Sequence, residues 1–213
     1  MSLPVLHVVT DDGVINTANF LERAAAVLDA VGDRGAVHLR AHAANGRLLY
    51  ALASALAPVA QRSGAWLVIN DRVDVALAAG IRRVQLTARS LGVAEVRALP
   101  GQWTAGASIH TPEEARHAEA ARASWVIAGS VFDTPSHAGG ARGLPFVNTI
   151  VRATRLPVIA IGGIRPDAVA ALRHTGAAGV AVIRGVWHAG VRTDDAVSAS
   201  TAYLTAYDAG GHA

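Results

Sequence analysis

The stretch "PVIAIGGIRPDAVAALRHTGAAGVAVIRGVW" (157–187) decides the architecture. An apolar run stops at Gly162-Gly163, a segment with helical spacing follows, and a second apolar run stops at Arg184-Gly185. Short apolar runs without alternation mark strands that are covered on both faces, and a helix between two of them is the crossover that parallel pairing needs.

The same unit recurs along the rest of the chain. Strand candidates are "VLHVVT" (5–10), "AVHLRA" (36–41), "AWLVIN" (65–70), "RVQLTA" (83–88), "WTAGASIH" (103–110), "SWVIAG" (124–129), "PVIAIGG" (157–163) and "GVAVIRG" (179–185), eight in all. Between them lie helical segments such as "TANFLERAAAVLDAV", "GRLLYALASALAPVAQRSG" and "TPEEARHAEAARA", and "DDAVSASTAYLTAYDA" closes the series. Thr111-Pro112-Glu113-Glu114 reads as a cap, a first-turn proline and acids at the positive end of a helix. Gly64, Gly80 and Gly176 stand where helices should stop.

Strict alternation implies an α/β fold with right-handed crossovers, and the eight units can close into a (β/α)8 barrel. The competing open, doubly wound sheet would carry its glycine fingerprint after the first strand, where this chain reads "TDDGV". The expectation is one barrel domain over residues 1–213.

Composition narrows the chemistry. A hydrophobic share of 52% against 16% charged residues describes a chain that can bury a full core. Cysteine is absent, which excludes disulfides, thiolate metal sites and a cysteine nucleophile. Lysine is absent too: all 19 basic residues are arginine, so neither a Schiff-base nor a P-loop lysine is available. The arginines are scattered, with Arg82-Arg83 the single adjacent pair, whereas a nucleic-acid face needs a cluster. The start "MSLPVLHVVTDD" resembles no secretory signal, and no apolar run nears the roughly 20 residues that cross a bilayer, so a cytoplasmic protein without a membrane partner is expected.

In such a barrel the chemistry gathers at the C-terminal strand ends. Those ends carry Asp11 and Asp12, Arg40 and His42, Asn70 and Asp71, Gln85 and Thr87, Ser108 and His110, Gly129 and Ser130, Gly162 and Gly163, and Arg184 and Gly185. Glycines let a backbone approach an anion closely, and the loops after the seventh and eighth strands are the fold's usual phosphate site. Gly162, Gly163, Arg184 and Gly185 are therefore the expected phosphate-binding group; a plain strand-ending role for the glycines is the alternative.

"INDRVDVALA" (69–78), "RVQLTARS" (83–90), "GASIHTPEEA" (106–115), "GSVFDT" (129–134), "ARGLP" (141–145), "PVIAIGGIRPD" (157–167) and "GAAGVAVIRGV" (176–186) resemble, in order and spacing, the thiamine phosphate synthase and TenI superfamily. The resemblance implies a (β/α)8 barrel of thiamine biosynthesis, a phosphorylated heterocycle as substrate, and a homo-oligomer, since family members often associate. It offers two activities. A synthase joins a pyrimidine pyrophosphate to a thiazole phosphate with Mg²⁺, and a TenI-type tautomerase aromatises a carboxylated thiazole phosphate by a 1,3-proton shift without metal.

Departures from each pattern guide the choice. Asp71 matches one synthase metal position, but a pattern resembling "VHLGQED" is replaced by "VQLTARS", with Gln85 for its histidine and Arg89-Ser90 in its acid region. A threonine-lysine pattern after the sixth strand is replaced by "FDTPSHAGG", and His42 stands where "LQLREK" has its lysine. These losses direct the expectation to the tautomerase branch, an isomerase with no cofactor, with a Mg²⁺ synthase as the alternative and a non-catalytic phosphate-binding regulator as a third.

Within that branch "GHVFET" becomes "GSVFDT", so Ser130 occupies the place of the catalytic histidine. His110 and His137, with His42 and Asp133 behind them, are then the candidate proton carriers. Arg40, Asn70, Gln85 and Ser108 are the expected substrate-binding residues, Arg40 pairing with a carboxylate. Asp71 has a second reading, as the cap of the helix beginning near Arg72.

Overall fold

The computed structural model describes residues 2–134 and 139–210. Every expected strand forms: β1 (Leu6–Val9), β2 (Gly35–Leu39), β3 (Trp66–Asn70), β4 (Arg83–Leu86), β5 (Thr104–Ile109), β6 (Trp125–Ala128), β7 (Val158–Ile161) and β8 (Gly179–Val182). Each pairs in parallel with its successor and β8 returns to β1, closing the barrel. Closure leaves no strand edge to solvent.

The helices of the outer layer are α1 (Asp12–Ile15), α2 (Phe20–Val31), α3 (Gly46–Ser63), α4 (Val73–Ala78), α5 (Val93–Ala98), α6 (Pro112–Ala120), α7 (Gly143–Ala153), α8 (Val169–His174), α9 (Arg184–Trp187) and α10 (Thr193–Ala209). None among the described residues is long and apolar enough to cross a membrane. The expected punctuation operates: Thr111 Oγ1 accepts from the Glu114 amide at 3.1 Å, and the Glu114 carboxylate accepts in return from the Thr111 amide at 3.2 Å. Gly64, Gly80 and Gly176 follow their helices with φ of 78°, 71° and 89°, the left-handed region that glycine enters without a Cβ penalty.

Two boundaries differ from the sequence reading. Arg184 and Gly185 belong to α9, not to the end of β8, because the strand stops at Val182 and the chain turns at once into a helical turn. Asp12 opens the short helix α1, which the sequence analysis did not foresee; the Asp11 carboxylate caps it, accepting from the Val14 amide at 3.0 Å.

Period-two alternation divides each strand between two cores. Outward residues such as Leu6, Val37, Leu39, Leu67, Ile69 and Val126 pack with the helices. Inward residues Val9, Trp66, Val68, Trp125, Ile127 and Ile159 fill the barrel. Trp125 is fully buried and meets Trp66 edge-on, with ring centroids 5.9 Å apart. The indole needs the space of a missing side chain: a Cβ on Gly106 would lie 2.2 Å from it. Arg83 stacks over the Trp66 ring, 4.9 Å from its centroid.

Candidate functional site

Above the tryptophans the barrel interior turns polar. His7 and His38 are wholly buried, and their rings are joined Nδ1 to Nε2 at 2.8 Å. His7 Nε2 lies 3.1 Å from the Pro4 carbonyl, and His38 Nδ1 lies 3.2 Å from the Asn70 carboxamide at the end of β3. The Pro4 carbonyl and Asn70 Oδ1 both only accept, so the two imidazoles are held between an acceptor at each end of the chain. Burial pushes His7 down to about 4 and His38 well below the usual imidazole range, keeping both neutral.

A second chain crosses the barrel. Trp125 Nε1 donates to Gln85 Oε1 at 2.8 Å, and Gln85 Nε2 donates to Ser108 Oγ at 3.0 Å. Gln85 is 1% exposed, so this expected substrate ligand is turned inward as a brace for Trp125, while half-buried Ser108 keeps its hydroxyl proton to give.

The strand-end residues of β2 to β4 meet around a cleft of about 150 Å³ lined by Arg40, His42, Asn70, Asp71, Arg72 and Arg89. Arg40 Nη2 donates to His42 Nε2 at 2.6 Å, which requires that nitrogen to be unprotonated. Partial burial, then Arg40 and Arg89, hold the His42 imidazole below its ordinary range. Arg72 is taken up by a two-pronged contact with Asp74, at 2.9 and 2.6 Å. Among the described residues neither Arg40 nor Arg89 has a carboxylate within ion-pair distance. Arg89 is a cleft residue to which the sequence reading gave no role; the visible signal was a basic residue in a region expected to be acidic.

Asp71 does not cap α4, whose first turn has no side-chain cap. It holds the neighbouring strand instead: Oδ1 accepts from the Thr87 amide at 2.8 Å and the Thr87 hydroxyl at 2.9 Å, with its backbone at φ 59°. Asp12 is likewise structural, accepting from the His42 and Ala43 amides.

At the ends of β5 and β6, His110 Nδ1 donates to the Gly129 carbonyl at 2.8 Å, leaving Nε2 as a free acceptor on an exposed ring. The Arg142 guanidinium donates to the carbonyls of both His110 and Gly129 and lies over the Phe146 ring. This strap falls in "ARGLP", which carried the resemblance without an assigned role. Ser130 follows a cis peptide bond from Gly129, and its hydroxyl donates to the Phe132 carbonyl at 2.9 Å. Asp133 accepts from the Gly139 amide. His137 lies outside the described residues.

Packing gives the glycines after β7 and β8 a sufficient reason. A Cβ on Gly162, at φ 109°, would lie 2.2 Å from Ser130 Oγ, and one on Gly163, at φ 62°, would lie 2.5 Å from the Asp133 carbonyl. A Cβ on Gly185 would lie 2.1 Å from Tyr203 Oη, which donates to the Ile164 carbonyl at 2.8 Å. Arg184 is exposed beside them, at the start of α9. A larger, open groove of about 700 Å³ runs between α10 and the Pro166-Asp167 turn, and among the described residues Asp167 is the one charged side chain lining it.

The synthase alternative implies Mg²⁺, and the donor set does not fit it. A hard divalent cation takes several oxygen ligands, mostly carboxylates. The cleft offers one carboxylate, with one oxygen engaged twice by Thr87, among arginines. No group of three metal-ligating side chains occurs among the described residues.

A closed parallel barrel with its polar side chains and a charged cleft at the C-terminal strand ends defines the (β/α)8 class, in which sites gather at that end. A family model described as thiamine monophosphate synthase matches residues 6–186, and the chain belongs to this thiamine phosphate synthase/TenI family of thiamine biosynthesis. It is 38% identical over 187 residues to a protein of Chlorobium luteolum named thiamine-phosphate synthase, covering 86% of this chain and 85% of the relative. The same name and identity belong to a relative from Methanoculleus marisnigri over 184 residues, covering 85% and 86%. Thiamine phosphate pyrophosphorylase from Pyrococcus furiosus superposes with a TM-score of 0.82 at 28% identity, covering 97% of each chain.

These likenesses overturn the expected isomerase. The relatives that align along most of both chains carry a transferase name, so the departures at Gln85, Arg89 and Ser130 do not set the chain apart as a tautomerase.

Proposed function

We propose that this protein is a transferase of the thiamine-phosphate synthase type, coupling a pyrimidine pyrophosphate to a thiazole phosphate. The carrying observation is the likeness, over most of both chains, to relatives bearing that name. The thiazole nitrogen donates its lone pair to the pyrimidine methylene carbon, the carbon–oxygen bond to pyrophosphate breaks, and the leaving pyrophosphate takes that electron pair. No proton is transferred, so the reaction asks the protein to hold two anions and to stabilise a developing one.

In this reading Gly162, Gly163, Arg184 and Gly185 cradle the thiazole phosphate, and Arg40 and Arg89 face the pyrophosphate. The Asn70 carboxamide, its Oδ1 held by His38, turns its NH2 to the pyrimidine ring. Ser108 and His110 line the space between, with Ser130 against the glycine corner. The purified protein, given both substrates with and without Mg²⁺, should release thiamine phosphate and pyrophosphate in equal amounts. Binding of both substrates without product would replace this reading with that of a non-catalytic binding protein.

A further inference from the structure

We propose that the cleft at the ends of β2 to β4 is a metal-independent diphosphate site, in which the guanidinium groups of Arg40 and Arg89 do the work of a bridging cation. The inference rests on the coupling reading for its ligand, and on the cleft alone for its charge. Two guanidinium groups without carboxylate partners face the cleft's one carboxylate, Asp71, which is tied to Thr87 through Oδ1. A divalent ion entering there would meet more like charge than opposite charge; a diphosphate meets the reverse.

The donors suit that anion. Each guanidinium presents a planar fork that matches phosphate oxygens two at a time, and charge-assisted bonds of this kind are the strong ones. Arg40 is steadied by its 2.6 Å bond to His42, whose Nε2 accepts from Nη2. The Asn70 side chain is fixed from behind by the buried histidines. Arg72 also lines the cleft, but Asp74 already occupies its fork.

The test is titration calorimetry of the whole protein with inorganic pyrophosphate, once in EDTA and once in excess Mg²⁺. Binding should be as tight in EDTA as in Mg²⁺ or tighter, and should weaken as salt is raised. Arg40→Gln and Arg89→Gln should each weaken it by roughly tenfold or more. Arg89→Glu, at an exposed position, should abolish it, and Arg62→Gln, at an exposed arginine that does not line the cleft, should change it by less than about twofold. Binding that requires Mg²⁺, or that survives Arg89→Glu, overturns the proposal. Metal-free binding without coupling would sink the transferase reading and leave this site standing; coupling with strictly Mg²⁺-dependent pyrophosphate binding would do the opposite.

Discussion

His7 Nδ1 and His38 Nε2 lie 2.8 Å apart inside the barrel, where neither ring has any exposed surface. Two imidazoles in such contact can share one proton between their rings but cannot both be cationic, and burial holds both neutral.

A pH dependence of stability follows. His7 titrates near 6.5 when unfolded and near 4 when folded, so the unfolded chain binds the extra proton between those values. The folded-state advantage is fully present above pH 6.5 and is lost as pH falls towards about 4. At about 1.4 kcal/mol per pH unit this amounts to roughly 3 kcal/mol for His7, with His38 adding in the same direction. Urea unfolding at pH 7 and pH 4.5 should show this loss in the wild type and a flatter dependence in a His7→Gln/His38→Gln variant. Equal slopes would mean that the pair does not titrate as described.

The barrel was legible because its signals are local. Apolar runs, caps and glycine stops each lie within a few residues, and all eight strands fall where these marks put them. The site was legible only as a set of strand-end positions. Whether Gln85 faces a ligand or braces Trp125 depends on a partner 40 residues away, and the Gly162 turn is shaped by Ser130, 32 residues before it. Charge was misread for the same reason. Arg40 and Arg89 look scattered along the chain, yet parallel pairing of β2, β3 and β4 brings them to one cleft.

Gly106 should tolerate no side chain. Its φ is ordinary, so the obstacle is steric: a Cβ would sit 2.2 Å from Trp125 and 2.4 Å from Gln85 Oε1, both held in the packed interior. Gly106→Ala should cost about 1–3 kcal/mol, the usual toll of overpacking, and should redshift the buried tryptophan emission as water reaches the indole. A variant as stable as the wild type would show that the Trp125 brace can shift freely.

Gly162→Ala combines two penalties, a strained φ of 109° and a Cβ 2.2 Å from Ser130 Oγ. The expected loss is about 2–4 kcal/mol, together with weaker binding of the thiazole phosphate as the turn moves. Adding Ser130→Gly should restore part of the stability but not all. The Ser130 Cα and the Val131 amide also lie within 2.9 Å of the added carbon. Full rescue by Ser130→Gly would place the whole cost on the hydroxyl contact.

Asp71 allows its structural role to be separated from a metal role. Its Oδ1 accepts two hydrogen bonds from Thr87, and its backbone adopts φ 59°, a region that Asp and Asn tolerate better than Ala. Asp71→Asn keeps both features and should cost less than about 1 kcal/mol, whereas Asp71→Ala loses both and should cost about 2–4 kcal/mol. A carboxylate that held Mg²⁺ would behave differently: Asp71→Asn would fold normally yet need far more Mg²⁺ for coupling. Because Arg40 and Arg89 supply the charge in this cleft, the coupling rate of Asp71→Asn should follow the wild-type Mg²⁺ dependence, and a steeply raised Mg²⁺ requirement would return Asp71 to the metal.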